Sequence, residues 1–342
     1  MPPIPSFSAA NVKRRQLLAG SAAAVLAPWL MPREGLAAPA ATPVAMRKLA
    51  SRLRIVIPAN AGGGWDQTGR TLGAALLASG AVDAVDYENM GGKGGTIGLA
   101  HYVEQYRAQP DTLLIGGMVM VGAIALQKPA VTLAQVQPLA RLTSDYVVVA
   151  VPSDSPLRNA KDLTSALRAD PHSVTMAGGS AGGVDHMFAG LLIRAAKGAP
   201  DQLNYLPYPG GNDVVQALRA GKAQVGLSGY SEFSNAVSAG QLRVIGISSR
   251  RGIFGLPTFR EQGVQVDMAN WRAVFTGQDV PAARVEELAR ALNQATAQDR
   301  WQTALRDNRW DAAWQTGKDF RDFLEIEQST ASVMTYLLKL KS

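Results

Sequence analysis

Along this chain a short apolar strand repeatedly runs into a corner of small residues and then into a helix. "LRIVIPANAGGGWDQTGRTLGAALLASG" is the first such unit. "VDAVDYENMGGKGGTIGLAHYVEQ" is the second, with a strand near Val85 to Glu88, a corner from Met90 to Gly95 and a helix from Thr96. "DTLLIGGMVMVGAIALQ" is a third, too short in its apolar run to span a bilayer. "SVTMAGGSAGGVDHMFAGLLIRAAKG", "LNYLPYPGGNDVVQALRAGKA" and "AQVGLSGYSEFSNAVSAGQ" repeat the grammar further on. Alternating strands and helices place the chain in the α/β class, with mostly parallel sheets flanked by helices.

Two segments read as crossings between domains. Val147 to Val151 is a β-branched run closed by "PSDSP", and "LRVIGISSRRGIFGLPTF" ends the second group of units in a similar way. A domain inserted into another needs two linkers, so the expected layout is a discontinuous first domain (39–149 and 265–342) around an inserted second one (150–264). That is the layout of a hinged binder. The stretch from about Pro281 reads as helical and ends in a helix through Met334, Leu337 and Leu338.

Residues 1–38 read as an export signal: basic Lys13, Arg14 and Arg15, an apolar run from Leu17 to Leu30 broken by Pro28, and a small-residue end at Ala37-Ala38. The paired arginines raise the twin-arginine route beside the general one. Without that segment the balance is 30 Lys+Arg against 26 Asp+Glu, or +4, since it removes Lys13, Arg14, Arg15, Arg33 and Glu34. With no basic cluster interleaved with aromatics, this mild surplus argues against nucleic acid and suits an anionic small ligand. The chain has no cysteine, which excludes disulfides and thiolate sites. Its three histidines, His101, His172 and His186, lack metal-ligand spacing. No cofactor and no metal are expected.

The corners carry the chemistry. A corner before a helix presents unpaired amides and the positive end of the helix dipole, and glycine lets those amides converge on an anion. Gly62-Gly63-Gly64 and Gly91-Gly92 with Gly94-Gly95 hold equivalent places in successive units, so one ligand can touch both. Tight connections alone would also use glycine. Thr96, Ser180 and Asn212 add polar groups able to grip a carboxylate. Trp65 either caps the core or closes over a ligand; Asp66 is either a first-turn carboxylate or a partner for a ligand hydroxyl. Arg272 meets either a second carboxylate or an interdomain acid. A β-branched residue at Gly64 is expected to obstruct the amides more than the fold.

Other chemistries fit less well. In "GGKGGTIG" the glycines after Lys93 lead to Thr96-Ile97, not to the Lys-Ser/Thr of a phosphate loop. "GGSAGG" around Ser180 has the wrong glycine offsets for a nucleophile elbow. Asp185 and His186, the pair an exported hydrolase or lyase would use, point about 100° apart on a helix.

In order and content, "IVIPANAGGGWDQTGR", "ENMGGKGGTIGLAHY", "TLAQVQPLARLTSDYVVVAVPSDSP", "MAGGSAGGVDHMFAGLL", "LPYPGGNDVVQALRAGKAQVGLS" and "WRAVFTGQDVP" resemble the periplasmic substrate-binding proteins of tripartite tricarboxylate transporters, the Bug family. The resemblance covers nearly all of the chain after the export signal and leans to the tricarboxylate branch. It implies a two-domain periplasmic-binding-protein (Venus flytrap) fold without catalysis, a monomer in the periplasm. One domain would pinch a small organic carboxylate, citrate among the candidates, through the corners Ala59 to Asp66 (with Ala61, Gly63, Gly64) and Met90 to Thr96 (with Lys93, Gly94, Gly95). The other would close on it through Ser180, Gly182, Gly183 and Asp185, through Gly211 and Asn212, and through Ser228. The closed form would dock on the membrane permease subunits or signal to a receptor. Two positions depart from the family: Val184 replaces a hydroxyl residue, and the helix entered at Gly117 begins with the apolar Met118, Val119 and Met120.

Overall fold

The computed structural model describes residues 48–253 and 255–340. The export-signal reading of 1–38 lies outside the described residues. Ten strands form one curled sheet. In its first half, β1 (Ala50–Ile57) lies between β2 (Val82–Asn89) and β3 (Thr112–Gly117), both parallel to it. The six residues of β3 are all buried, which explains why it shows no alternation of polar and apolar residues: after Thr112 it is apolar throughout, as a strand covered on both faces requires.

The centre of the sheet is antiparallel, which strand–helix alternation does not announce. β9 (Ala269–Gly277) pairs with β3 on one side and with the long β4 (Val136–Pro152) on the other. β4 changes partners midway. Up to Tyr146 it pairs with β9 and with β10 (Asp311–Thr316); from Val147 onward it pairs with β7 (Val225–Gly229) and β8 (Leu242–Ile247). β5 (Thr175–Gly178) and β6 (Asn204–Pro207) then extend the second half in parallel with β7. The β-branched run at Val147 is thus the point where one strand passes from one half to the other. The return passes close by, because the Ser248 hydroxyl accepts from the Val147 amide at 2.8 Å and donates to the Met268 carbonyl at 2.6 Å.

Helices cover both faces. In the first half these are α1 (Gly64–Ala78), α2 (Thr96–Tyr106) and α3 (Met118–Gln127), joined near the C-terminus by α8 (Ala282–Thr296), α9 (Asp299–Asn308) and α10 (Gly317–Leu337). The second half carries α4 (Ala160–Ala169), α5 (Val184–Ala195), α6 (Gly211–Arg219) and α7 (Tyr230–Ser238). α1 lies close on β1 because Gly69 has no side chain: a Cβ there would sit 2.8 Å from Ile57 Cδ1. Leu72, Ala75 and Leu76 then bury against the sheet with Leu53, Ile55 and Ile57, and each leucine or isoleucine contributes about 1.5–3 kcal/mol. α10 packs on α3 and β4, and its Glu327 accepts from the Trp271 indole at 2.7 Å. Just past α10, Leu338 is buried against Gly190 of α5. No described helix is long and apolar enough to cross a membrane.

Candidate functional site

Strand ends and helix starts from both halves line a cavity of about 470 Å³. One wall is the Pro58–Trp65 corner before α1 and the Gly91–Gly95 corner before α2. The facing wall is built from Gly179–Asp185, Pro207–Gly211 and Ser228–Glu232, with Asn270 and Arg272 of β9 at the join. The walls approach closely: a Cβ at Gly63 would lie 4.0 Å from Glu232 Oε1, one at Gly94 3.6 Å from Ser180 Cβ, and one at Gly183 3.2 Å from Val119 Cγ1.

The helices that start at this cavity lack side-chain N-caps. Gly63 stands at the N-cap of α1, Gly95 of α2, Gly183 of α5, Gly210 of α6 and Gly229 of α7, none with a side-chain cap. Away from the cavity, α4 is capped by Asn159, whose side chain accepts from Lys161 and Asp162. First-turn amides have no intrahelical acceptor, so uncapped starts leave donors and partial positive charge for something else. Gly95 has φ +90°, and a Cβ there would be 2.6 Å from the Trp65 ring. Trp65 is buried, and its indole packs under the second corner while lining the cavity.

Of the residues expected at the site, Gly63, Gly64, Trp65, Lys93, Gly94, Gly95, Ser180, Asp185, Gly211, Ser228 and Arg272 line this cavity. Ala61, Asp66, Thr96, Met118, Gly182, Gly183 and Asn212 do not. Asp66 turns inward, accepting from the Gly62 amide, Arg70 Nε and Asn89 Nδ2, each at 2.9 Å; those donors hold its carboxyl below the usual range against the opposing effect of burial. Thr96 donates to the Lys93 carbonyl and meets Gln127 Oε1, both at 3.1 Å, fixing the second corner from behind. Met118 is buried in the core. The Gly182 amide donates to His186 Nδ1 at 3.0 Å, and Asn212 stands near Gly62, where a Cβ would lie 3.9 Å from its Nδ2.

Arg272 lines the cavity but already has partners. It is 1% exposed; Nη2 meets Asp145 Oδ2 at 2.6 Å, and Nη1 donates to the Gly64 carbonyl at 3.1 Å and to Thr68 Oγ1 at 3.0 Å. It therefore fixes the start of α1 and balances a buried acid. Burial pushes Asp145 up to about 6, with the Arg272 charge opposing the rise. The expectation for Gly64 changes accordingly. A Cβ there would sit 2.6 Å from Arg272 Nη2, so a larger residue displaces a buried ion pair and costs fold stability as well as amide access.

The facing wall is acidic. Asp185 accepts from the Gly179 amide at 2.8 Å; Glu232 accepts from the Gly211 amide at 2.9 Å and from Ser228 Oγ at 2.8 Å. Burial pushes Asp185 up to about 7, the Gly179 hydrogen bond opposing and the Glu232 and Asp145 charges adding to the rise. His186, next in sequence, is stacked on Tyr205 with ring centroids 4.3 Å apart, and burial lowers it to about 4. Since its Nδ1 accepts from Gly182, it is a neutral imidazole committed to the corner's backbone rather than to Asp185.

Glu232, Asn270 and Asp145 went unnoticed in the sequence, although two had a signal. Glu232 follows Ser231 in the first turn of α7, where an acid is expected. Asn270 lies two residues before Arg272 on one strand, hence on the same face. Asp145 stands in the middle of β4, and only the pairing with β9 reveals that it meets Arg272.

The fold and a cavity between facing helix starts define a periplasmic-binding-protein architecture. Solved structures superimpose on it: periplasmic binding protein BugD (TM-score 0.76, 18% identity, 85% of this chain and 98% of that one), MatC from Rhodopseudomonas palustris with bound malate (0.71, 21%, 83% and 98%), and an R. palustris protein with adipate (0.78, 18%, 85% and 98%). In sequence the chain is similar to a UPF0065 protein in the tcbD-tcbE intergenic region of a Pseudomonas sp., 26% identical over 295 residues, 84% of this chain and 83% of that protein. Residues 76–334 match the tripartite tricarboxylate transporter family receptor, and the chain belongs to that family. The family is one of solute-binding receptors, not of enzymes.

Proposed function

We propose that this protein is an extracytoplasmic solute-binding protein that captures a small organic carboxylate in the 470 Å³ cavity. The observation that carries the reading is the convergence of two uncapped glycine corners, before α1 and before α2, on one side of that cavity. Their amides and dipoles suit a carboxylate. Malate and adipate in structural neighbours support the same class of ligand. Citrate is one member of the class to test.

In this reading residues 39–149 and 265–342 form one domain and 150–264 the other, hinged where β4 changes partners and where Ser248 ties the two crossings. Residues 1–38 direct export to the periplasm, and the ligand-bound monomer delivers its cargo to the membrane subunits of a tripartite tricarboxylate transporter. The test is a thermal-shift screen of residues 39–342, refolded once to remove bound ligand, against mono-, di- and tricarboxylates. A ligand that binds only the native state adds about 2.7 kcal/mol at 100 times its dissociation constant, so one acid should raise the melting temperature clearly. Well-folded protein that no carboxylate stabilises would refute the reading.

A further inference from the structure

We infer that the ligand is zwitterionic: a carboxylate at the glycine corners of α1 and α2, and a cationic nitrogen held between Asp185 and Glu232 on the facing wall. The inference rests on the carboxylate reading above and adds the chemistry of the ligand's other end.

The two walls differ in charge rather than in backbone. Helices start uncapped on both, and on each an acid takes a corner amide: Asp66 that of Gly62 on the first, Asp185 that of Gly179 and Glu232 that of Gly211 on the second. The first wall's acid turns away from the cavity to Arg70, whereas both acids of the second line the cavity. A second ligand carboxylate would compete with both for those amides and meet two like charges. The two acids also differ from the other acids nearby. Asp66 is paired with Arg70, and Asp145 with Arg272. Among the described residues neither Asp185 nor Glu232 has a lysine or arginine at ion-pair distance. Acids that line a cavity without a counter-ion are matched by a cation that arrives with the ligand.

Orphaned polar atoms at the join of the walls point independently to an occupant. Asn270 lines the cavity, and its buried Oδ1 has no donor among the described residues; an ammonium or its neighbouring N–H supplies one. Arg272, 1% exposed, also lines the cavity and has a buried Nε without an acceptor. A resident metal ion is a poorer match for the acids, since no group of three His, Asp or Glu residues among the described residues is placed to hold one.

Proton exchange gives the inference a signature of its own. Burial, with the Glu232 and Asp145 charges adding to it and the Gly179 hydrogen bond opposing, pushes Asp185 up to about 7, so it still binds a proton close to neutrality. A bound ammonium favours the carboxylate and expels that proton; a bound second carboxylate favours the acid and draws a proton in.

The experiment is calorimetry at pH 7, in two buffers of different ionisation enthalpy, with ω-amino acids from 3-aminopropanoate to 6-aminohexanoate and the dicarboxylates of matching length. We expect at least one ω-amino acid to bind at least about tenfold more tightly than its matched dicarboxylate, with proton release. In Asp185→Asn and in Glu232→Gln that preference should shrink to near equality. Dicarboxylates binding as tightly or more tightly, with proton uptake, would overturn the inference and leave the carboxylate reading standing. A preference for ω-amino acids that survives both substitutions would also overturn it. Failure of both series to bind, in protein that another carboxylate stabilises in the thermal-shift screen, would overturn the inference alone; failure of every carboxylate would overturn both.

Discussion

Asp185→Asn should make the ligand-free protein more stable, and increasingly so as the pH rises. The side chains are isosteric, and an amide oxygen can still accept from the Gly179 amide at 2.8 Å. The charge is what changes. Asp185 titrates near 7 in the folded protein against an ordinary 3.8, and each tenfold in a protonation constant is worth about 1.4 kcal/mol. Ionising it in place thus takes up to about 4 kcal/mol from the folded state. The folded value lies above the unfolded one, so wild-type stability is full below the unfolded value and is lost as pH rises through 7. Urea unfolding at several pH values from about 4 to 8 measures this directly. The two proteins should be nearly equal at the acid end and should separate progressively, with Asn the more stable. A difference that is constant with pH, or a wild type that gains on the variant as pH rises, would refute the argument. The acid is then retained at a cost in stability, as expected of a group kept for binding.

Gly95→Ala should cost more than 1 kcal/mol and lower the melting temperature by several degrees, because φ is +90° and the new Cβ would meet the Trp65 ring at 2.6 Å. The His186 imidazole, held neutral by burial with a value near 4, should show no titration in NMR spectra between about pH 5 and 8; its folded value is depressed, so the stability it contributes is lost only as pH falls from 6.5 toward 4. Ser248→Ala removes two hydrogen bonds between the crossings and should cost about 1–3 kcal/mol in chemical unfolding, with faster amide exchange at Val147 than in the wild type. Glu327→Leu leaves the buried Trp271 indole without its acceptor and should destabilise by about 1–3 kcal/mol in the same assay.

Local signals in the sequence located the corners. Glycine runs between an apolar strand and a helix mark Gly62–Gly64 and Gly91–Gly95 on their own, and both line the cavity in part. The second helix begins at Thr96 as its corner suggests. What the chain hides is set by distant pairing. β4 and β9 pair across more than a hundred residues, and no local pattern encodes that Thr143 faces Arg272 or that Asp145 lies beside it. β4 itself reads as a crossing only in its β-branched second part; its first part is broken by Arg141, Ser144 and Asp145, which find partners in the first half of the sheet. Asp66 illustrates the same limit. Its place at a helix start gives no preference between ligand and Arg70, and the i,i+4 ion pair with Arg70 is what occupies it. The end of the chain shows the same limit, for no local pattern encodes that Leu338 rests on Gly190 of α5.

The central claim is that the glycine corners hold a carboxylate group. It is tested most directly by titrating the stripped protein with the best-binding acid and with that acid amidated at each carboxyl in turn. Amidation at the carboxyl seated on the α1 and α2 corners should abolish measurable heat, because a neutral amide offers no negative charge to the helix starts. Equal affinity for the acid and all of its amides would contradict the account.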